Sequence, residues 1–174
     1  YMNSSADLKD FVGRHGGVVC TSSNAVGVLN WAFERAGEGG AVLFFPDQHL
    51  GRNTGLAMGI ESEKMPTWTP GIGAMGEIKE SRIILWHGFC SVHKRFTPKQ
   101  IHDFRAEHPD GLVVVHPECP KETVEIADAY GSTQYIRNYV GALPDGASVA
   151  IGTEINMVAR LAREHPDKHI ECLD

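Results

Sequence analysis

Short apolar runs punctuate the chain at residues 18–21, 41–45, 82–85, 112–115, 148–151 and 170–173. They are apolar at successive positions rather than alternating, the pattern of parallel strands buried on both faces. Helical stripes with start signals lie between them. Thr97-Pro98-Lys99-Gln100 has a capping-box pattern with proline at the first helical position, ahead of Ile101 and Phe104. Ser132 precedes a stripe of Ile136, Tyr139 and Val140, and Thr153 precedes one of Ile155, Val158, Ala159 and Ala162, so both hydroxyls are expected to cap helices. Gly37-Glu38-Gly39-Gly40 and Pro144-Asp145-Gly146 mark turns. Alternating elements of this kind predict an α/β fold with parallel strands and right-handed crossovers.

The order of elements repeats weakly. Tyr1-Met2-Asn3, Thr21-Ser22-Ser23 and Pro46-Asp47 in the first half correspond to His116-Pro117-Glu118, Ser132-Thr133 and Thr153-Glu154 in the second. Two related units, residues 1–89 and 90–174, account for this; a plain α/β alternation is the competing explanation. Residues 60–80 break the rhythm with prolines and glycines that exclude a continuous helix. They are expected to form a surface loop or insertion without chemistry.

The chain has 174 residues and a formal net charge of −6, and no basic run exceeds Lys94-Arg95. A surface that tracks nucleic-acid phosphates is therefore not expected. No apolar stretch approaches the ~20 residues that span a bilayer, so no membrane association is expected. The N-terminus has none of the regions of a signal peptide; it reads as the last turn of a strand, and the chain as a piece of something longer. Four widely spaced cysteines without a CxxC pair point to a reducing, cytoplasmic setting rather than a disulfide framework.

Chemistry concentrates in two segments. Trp86-His87-Gly88-Phe89-Cys90-Ser91-Val92-His93 follows one apolar run, and His116-Pro117-Glu118-Cys119 follows another. In open α/β sheets, ligands bind beyond the carboxyl ends of strands. Cys90, with His93 three residues on, is a candidate metal ligand, or else a buried structural thiol. His116 and Glu118 can share proton transfer or hold a polar substrate; alternatively Glu118 complements a helix N-terminus and His116 packs. Ser22 and Thr133 lie at strand-to-helix junctions suited either to an anion or to plain capping. Asp47 can be a site residue or a cap. Cys20, Cys119 and Cys172 are expected to pack.

Seven motifs occur in the order expected of quinolinate synthase: Tyr-Met-Asn-Ser-Ser, Thr-Ser-Ser-Asn-Ala, Phe-Pro-Asp-Gln-His-Leu-Gly, Trp-His-Gly-Phe-Cys-Ser-Val-His, His-Pro-Glu-Cys-Pro, Gly-Ser-Thr and Gly-Thr-Glu. The chain resembles that family over almost its whole length, the 60–80 loop excepted. The resemblance implies two three-layer αβα units with short parallel sheets, part of a pseudo-threefold architecture of three domains. On that reading residues 1–89 form the second domain and residues 90–174 the third, truncated at its C-terminal end. It implies condensation of iminoaspartate with dihydroxyacetone phosphate to quinolinate for NAD synthesis, with loss of phosphate and two waters. L-aspartate oxidase or aspartate dehydrogenase would supply the iminoaspartate. It also implies a [4Fe–4S] cluster held by one cysteine per domain, whose open iron position acts as a Lewis acid.

By motif, Cys90 resembles the middle cluster ligand, and the other two ligands are expected outside these residues. Tyr1 and Asn3 resemble a substrate-contacting pair, with Tyr1 assisting catalysis. Ser22 and Thr133 resemble hydroxyls that bind substrate phosphate or carboxylate. His116 and Glu118 resemble the catalytic pair that also holds substrate. A fragment of this extent is expected to hold no intact cluster and to make no quinolinate alone. Two readings outside the family compete: a mononuclear metal hydrolase built from Cys90, His93, His116 and Glu118, and a non-catalytic phosphate-ester binder using Ser22 and Thr133.

Overall fold

A computed structural model describes residues Tyr1–Asp174. The chain divides into two compact units, Tyr1–Phe89 and Cys90–Asp174.

The first unit runs α1 (Ala6–Arg14), α2 (Ala25–Ala36), β1 (Val42–Phe44), α3 (Gln48–Ala57), β2 (Thr67–Thr69), β3 (Gly73–Met75) and β4 (Ile83–Trp86). Its sheet has the order β1-β4-β2-β3, parallel except for the β2–β3 hairpin. Phe44, Ile83 and Leu85 project to one face, where they pack with Leu29 of α2, Leu50 of α3 and Met65. The opposite face is thinly covered: α1 buries no residue, and Leu43 stays 44% exposed.

Two expectations need correction here. Residues 18–21 form no strand; a strand is defined by its ladder, and this run takes part in no strand pairing. Met2 N–H donates to Cys20 O, and Val18 and Val19 remain exposed. The segment 60–80 is more than a loop. Its prolines and glycines leave room for three-residue strands, and β2 extends the sheet by pairing with β4 through Thr67 and Trp68.

The second unit runs α4 (Pro98–Glu107), β5 (Leu112–Val115), α5 (Lys121–Ile126), β6 (Ala129–Tyr130), α6 (Thr133–Ala142), β7 (Ser148–Gly152), α7 (Ile155–Glu164) and β8 (His169–Cys172). The sheet order is β6-β5-β7-β8, all parallel. Val113, Val115 and Ala150 face a core with Phe96, Ile101, Phe104 and Val124. Val114, Val149 and Ile151 face the other way, onto Ile136, Val140, Val158 and Leu161. Successive side chains of a strand point to opposite faces, so a continuous apolar run is what a sheet covered on both sides requires. This is a three-layer αβα sandwich. Each fully buried aliphatic side chain contributes roughly 1.5–3 kcal/mol.

Helix starts follow local chemistry. Thr97 N–H donates to Gln100 Oε1 at 2.7 Å ahead of α4. Ser132 Oγ accepts from Tyr135 N–H at the start of α6, and Asp47 caps α3 by accepting from Leu50 N–H at 2.8 Å. Thr153 does not cap α7. Glu154 does so, its carboxylate accepting from the N–H groups of Asn156 and Met157. A carboxylate one residue nearer the helix outcompetes the hydroxyl there, and its charge suits the helix N-terminus.

Candidate active site

Strand order positions the chemistry of the second unit. From β5 the chain goes to β6 on one side and then crosses to β7 on the other. The carboxyl ends of β5 and β7 thus border a topological switch point, where open α/β sheets bind ligands. Val115 pairs with Gly152, and His116 N–H continues the ladder by donating to Gly152 O at 3.0 Å. His116 and Thr153 therefore leave neighbouring strands side by side. Gly152 permits this closeness: a Cβ there would come within 2.8 Å of Val115 Cγ1.

Beyond β5 the chain turns tightly, with Cys119 N–H donating to His116 O. The turn brings Glu118 back over His116. Both are buried, as are His93 and Thr153. His93 begins a short 3-10 turn, His93–Arg95, that starts three residues after Cys90. Its ring stacks on that of His116, with centroids 4.5 Å apart and planes 18° from parallel.

Glu118 Oε2 lies 2.9 Å from His93 Nδ1 and 3.3 Å from His116 Nδ1. Burial by itself would raise the Glu118 pKa. The two imidazoles outweigh it through hydrogen bonding and charge, His116 first, and bring the carboxyl down to about 2. Burial lowers the pKa of His116, and the neighbouring Glu118 only partly offsets this. Near neutrality the site therefore holds an ionised carboxylate beside a neutral His116. His116 Nδ1 is also 3.3 Å from the Glu118 backbone N–H. Unprotonated, that nitrogen accepts from the amide; protonated, it pairs with the carboxylate. A proton arriving at His116 thus meets a counter-ion already in place.

The donor atoms of Cys90, His93 and Glu118 lie within 4.8 Å of one another. Thiolate, imidazole and carboxylate together form a donor set for a metal. His93 Nδ1 is buried and lacks an aligned hydrogen-bond partner, as a nitrogen facing a metal or a bound polar group would. Cys90 is half-buried at the start of the unit. A metal group reached through Cys90 fits these residues.

Three of the other sequence candidates belong to the first unit. Tyr1 and Asn3 touch in the first unit, where Asn3 Nδ2 donates to Tyr1 OH at 3.2 Å. Ser22 is half-buried in the turn before α2; no strand precedes it, since 18–21 is irregular. Thr133 is exposed as the first residue of α6. Cys119 is fully buried, its Sγ 3.6 Å from Gly152 O, and packs as expected. None of the four cysteines forms a disulfide. No helix is long and apolar enough to cross a membrane.

One member of the cluster was not legible as a partner of Glu118: Thr153 stood out only as a cap, whereas His93 was grouped with Glu118 in the hydrolase reading. The signal that locates Thr153 is positional: it follows β7 as His116 follows β5, and the ladder registers those strand ends.

The family model for quinolinate synthetase A protein matches residues 1–174. The chain is 58% identical to quinolinate synthase of Corynebacterium glutamicum, over 100% of this chain and 44% of that relative. It is 53% identical to quinolinate synthase of Rhodopirellula baltica, over 99% of this chain and 45% of the relative. Against quinolinate synthase of Bacillus subtilis the identity is 49%, over 100% and 47%. The chain thus spans less than half the length of these curated relatives. Matched from end to end, it belongs to the quinolinate synthetase A family.

Proposed function

We propose that the protein carrying this chain is a quinolinate synthase that condenses iminoaspartate with dihydroxyacetone phosphate. The observation that carries the reading is the buried Glu118 carboxylate held between two imidazoles, beside Cys90, at the switch point of the parallel sheet. Cys90 would hold a [4Fe–4S] cluster, with its other cysteine ligands outside these residues. When bound, such a cluster supplies an iron position that acts as a Lewis acid on substrate.

The chain's own residues supply the proton chemistry. The reaction joins two carbon skeletons, expels phosphate and loses two waters, so protons must leave carbon and nitrogen and reach departing oxygens. Glu118 is too acidic to carry them. Its role is to orient the imidazoles and stabilise the imidazolium that forms. Burial keeps His116 neutral near pH 7, and a proton it takes up meets a counter-ion in place, so it is the proton carrier. Tyr1 and Asn3 offer a linked hydroxyl and amide for substrate contact. Ser22 and Thr133 precede and open helices, where hydroxyl and backbone N–H groups suit phosphate or carboxylate. The iminoaspartate would come from L-aspartate oxidase or aspartate dehydrogenase.

The test uses the full-length protein, reconstituted anaerobically with iron and sulfide and supplied with both substrates. Quinolinate should form. Glu118→Gln, which removes the counter-ion but keeps the shape, should lower kcat by about 10²–10⁴-fold. Cys90→Ala should abolish both the acid-labile sulfide and the activity. A second reading, a mononuclear metal hydrolase, is favoured by the Cys90–His93–Glu118 donor set. One zinc per chain, without sulfide or quinolinate, would establish it and overturn the synthase.

A further inference from the structure

We propose that Thr153 is a positioning residue for this chemistry: its hydroxyl holds the His93 ring in the orientation that faces Glu118. The proposal rests on the functional reading above and adds a residue to it. Thr153 is only 2% exposed and sits directly after β7. Its Oγ1 lies 3.1 Å from His93 Nε2. A threonine before a helix ordinarily serves as the cap, but here that task belongs to Glu154, whose Oε1 accepts from Asn156 N–H at 3.0 Å and Oε2 from Met157 N–H at 3.3 Å. The Thr153 hydroxyl is therefore available to the histidine.

A threonine hydroxyl can donate to an imidazole nitrogen or accept from one, so Thr153 Oγ1 can hold His93 Nε2 in either tautomer. On the other side of the ring, His93 Nδ1 lies 2.9 Å from Glu118 Oε2. The contact at Nδ1 is close but not aligned, so it does not lock the ring by itself. The aligned bond to Thr153 does, together with stacking on His116. Without the hydroxyl, Nε2 is a buried polar atom with an unmet hydrogen bond, which is unfavourable. The ring escapes that state by rotating. Rotation carries Nδ1 away from Glu118 and loosens the carboxylate that His116 depends on.

The experiment uses full-length holoenzyme with Thr153→Val, which keeps the β-branched shape without the O–H, and Thr153→Ser, which keeps the O–H. Thr153→Val should lower kcat by about 10–100-fold, the usual cost of losing an outer hydrogen-bonding partner. KM, iron and acid-labile sulfide should stay near wild type. Thr153→Ser should recover most of kcat. Crystal structures of wild type and Thr153→Val should show the His93 ring turned away from Glu118 in the variant alone. Wild-type kcat in Thr153→Val would overturn the proposal, as would equal impairment of the valine and serine variants. If the valine variant fails to fold, Thr153→Ala removes the hydroxyl without extra bulk; an active alanine variant would then overturn it. If the wild type makes no quinolinate, the functional reading fails, while an unmoved His93 ring in the variant still refutes the role of Thr153 separately.

Discussion

The two units are built from the same kinds of element, yet they treat their sheets differently. The second unit covers its sheet on both faces, with Val113 and Val115 in one core and Val114 and Ile151 in the other. The first unit has one cluster of buried apolar residues, and the other face of its sheet carries the half-exposed Leu43 under a helix that buries nothing. Phe11, Val12, Val18, Trp31, Leu43 and Phe45 line a groove of about 420 Å³ along the edge strand β1. The chemistry follows the same division. Ionised Glu118 is buried in the doubly covered unit, whereas Tyr1, Asn3 and Ser22 sit half-buried or exposed in the other. A buried charge survives only where its partners cannot drift, so the doubly covered sheet is what lets the carboxylate and its imidazoles be held.

The sharpest way to break this comparison is to open the core beneath the site. Ile151 is fully buried on β7, two residues before Thr153. Ile151→Ala should destabilise the protein by about 2–5 kcal/mol in denaturant unfolding. It should also raise hydrogen exchange throughout β5 and β7. A loss below about 1 kcal/mol would mean that the two-faced packing is not what fixes these strand ends.

Acid should act on the same unit. The folded-state pKa of Glu118 is depressed to about 2, from an ordinary 4.5. Its contribution to stability, about 3 kcal/mol, is therefore complete above pH 4.5 and is lost as the pH falls toward 2. His116 is shifted down as well, so the unfolded chain takes up its proton first and stability declines as the pH drops through 6.5. Both effects run in one direction, and Glu118→Gln should remove the lower one. An unchanged acid limb in Glu118→Gln would show that the carboxylate is not ionised against its imidazoles.

A smaller effect tests the close approach of the two strands. Gly152→Ala places a methyl group within 2.8 Å of Val115 Cγ1. Overpacking of this kind costs about 1–3 kcal/mol. Because Gly152 O also receives His116 N–H, the change should impair activity by more than its stability cost suggests. Stability loss without loss of activity would separate the strand contact from the site.

The α/β class and five of the eight strands could be read because buried parallel strands leave uninterrupted apolar runs, as at Leu112–Val115. Residues 18–21 carry the same signal, but a strand also needs a paired neighbour, and pairing is not written into the run itself. The β2–β3 hairpin was hidden because three-residue strands among prolines and glycines are too short to show a period. At the site, Cys90, His116 and Glu118 could be singled out because each follows an apolar run or lies next to a residue that does. Thr153 could not, since a hydroxyl before an amphipathic stripe looks like a cap; only Glu154 taking that position frees it.

The smallest expected effect lies on the other side of the comparison. Leu43 belongs to β1 and pairs with Ile84 in the ladder, yet its side chain is 44% exposed. Leu43→Ala removes apolar surface that already meets water, and it leaves the backbone pairing intact. Its cost should fall within about 0.5 kcal/mol, as for surface positions generally. The equivalent truncation at Leu85, fully buried on the opposite face of the neighbouring strand β4, should cost about 2–5 kcal/mol. The pair isolates the two faces of one sheet with the same change of side chain. A Leu43→Ala cost near that of Leu85→Ala would mean that the groove along β1 is filled in solution. The first unit would then be covered on both faces, as the second is, and the contrast between the units would disappear.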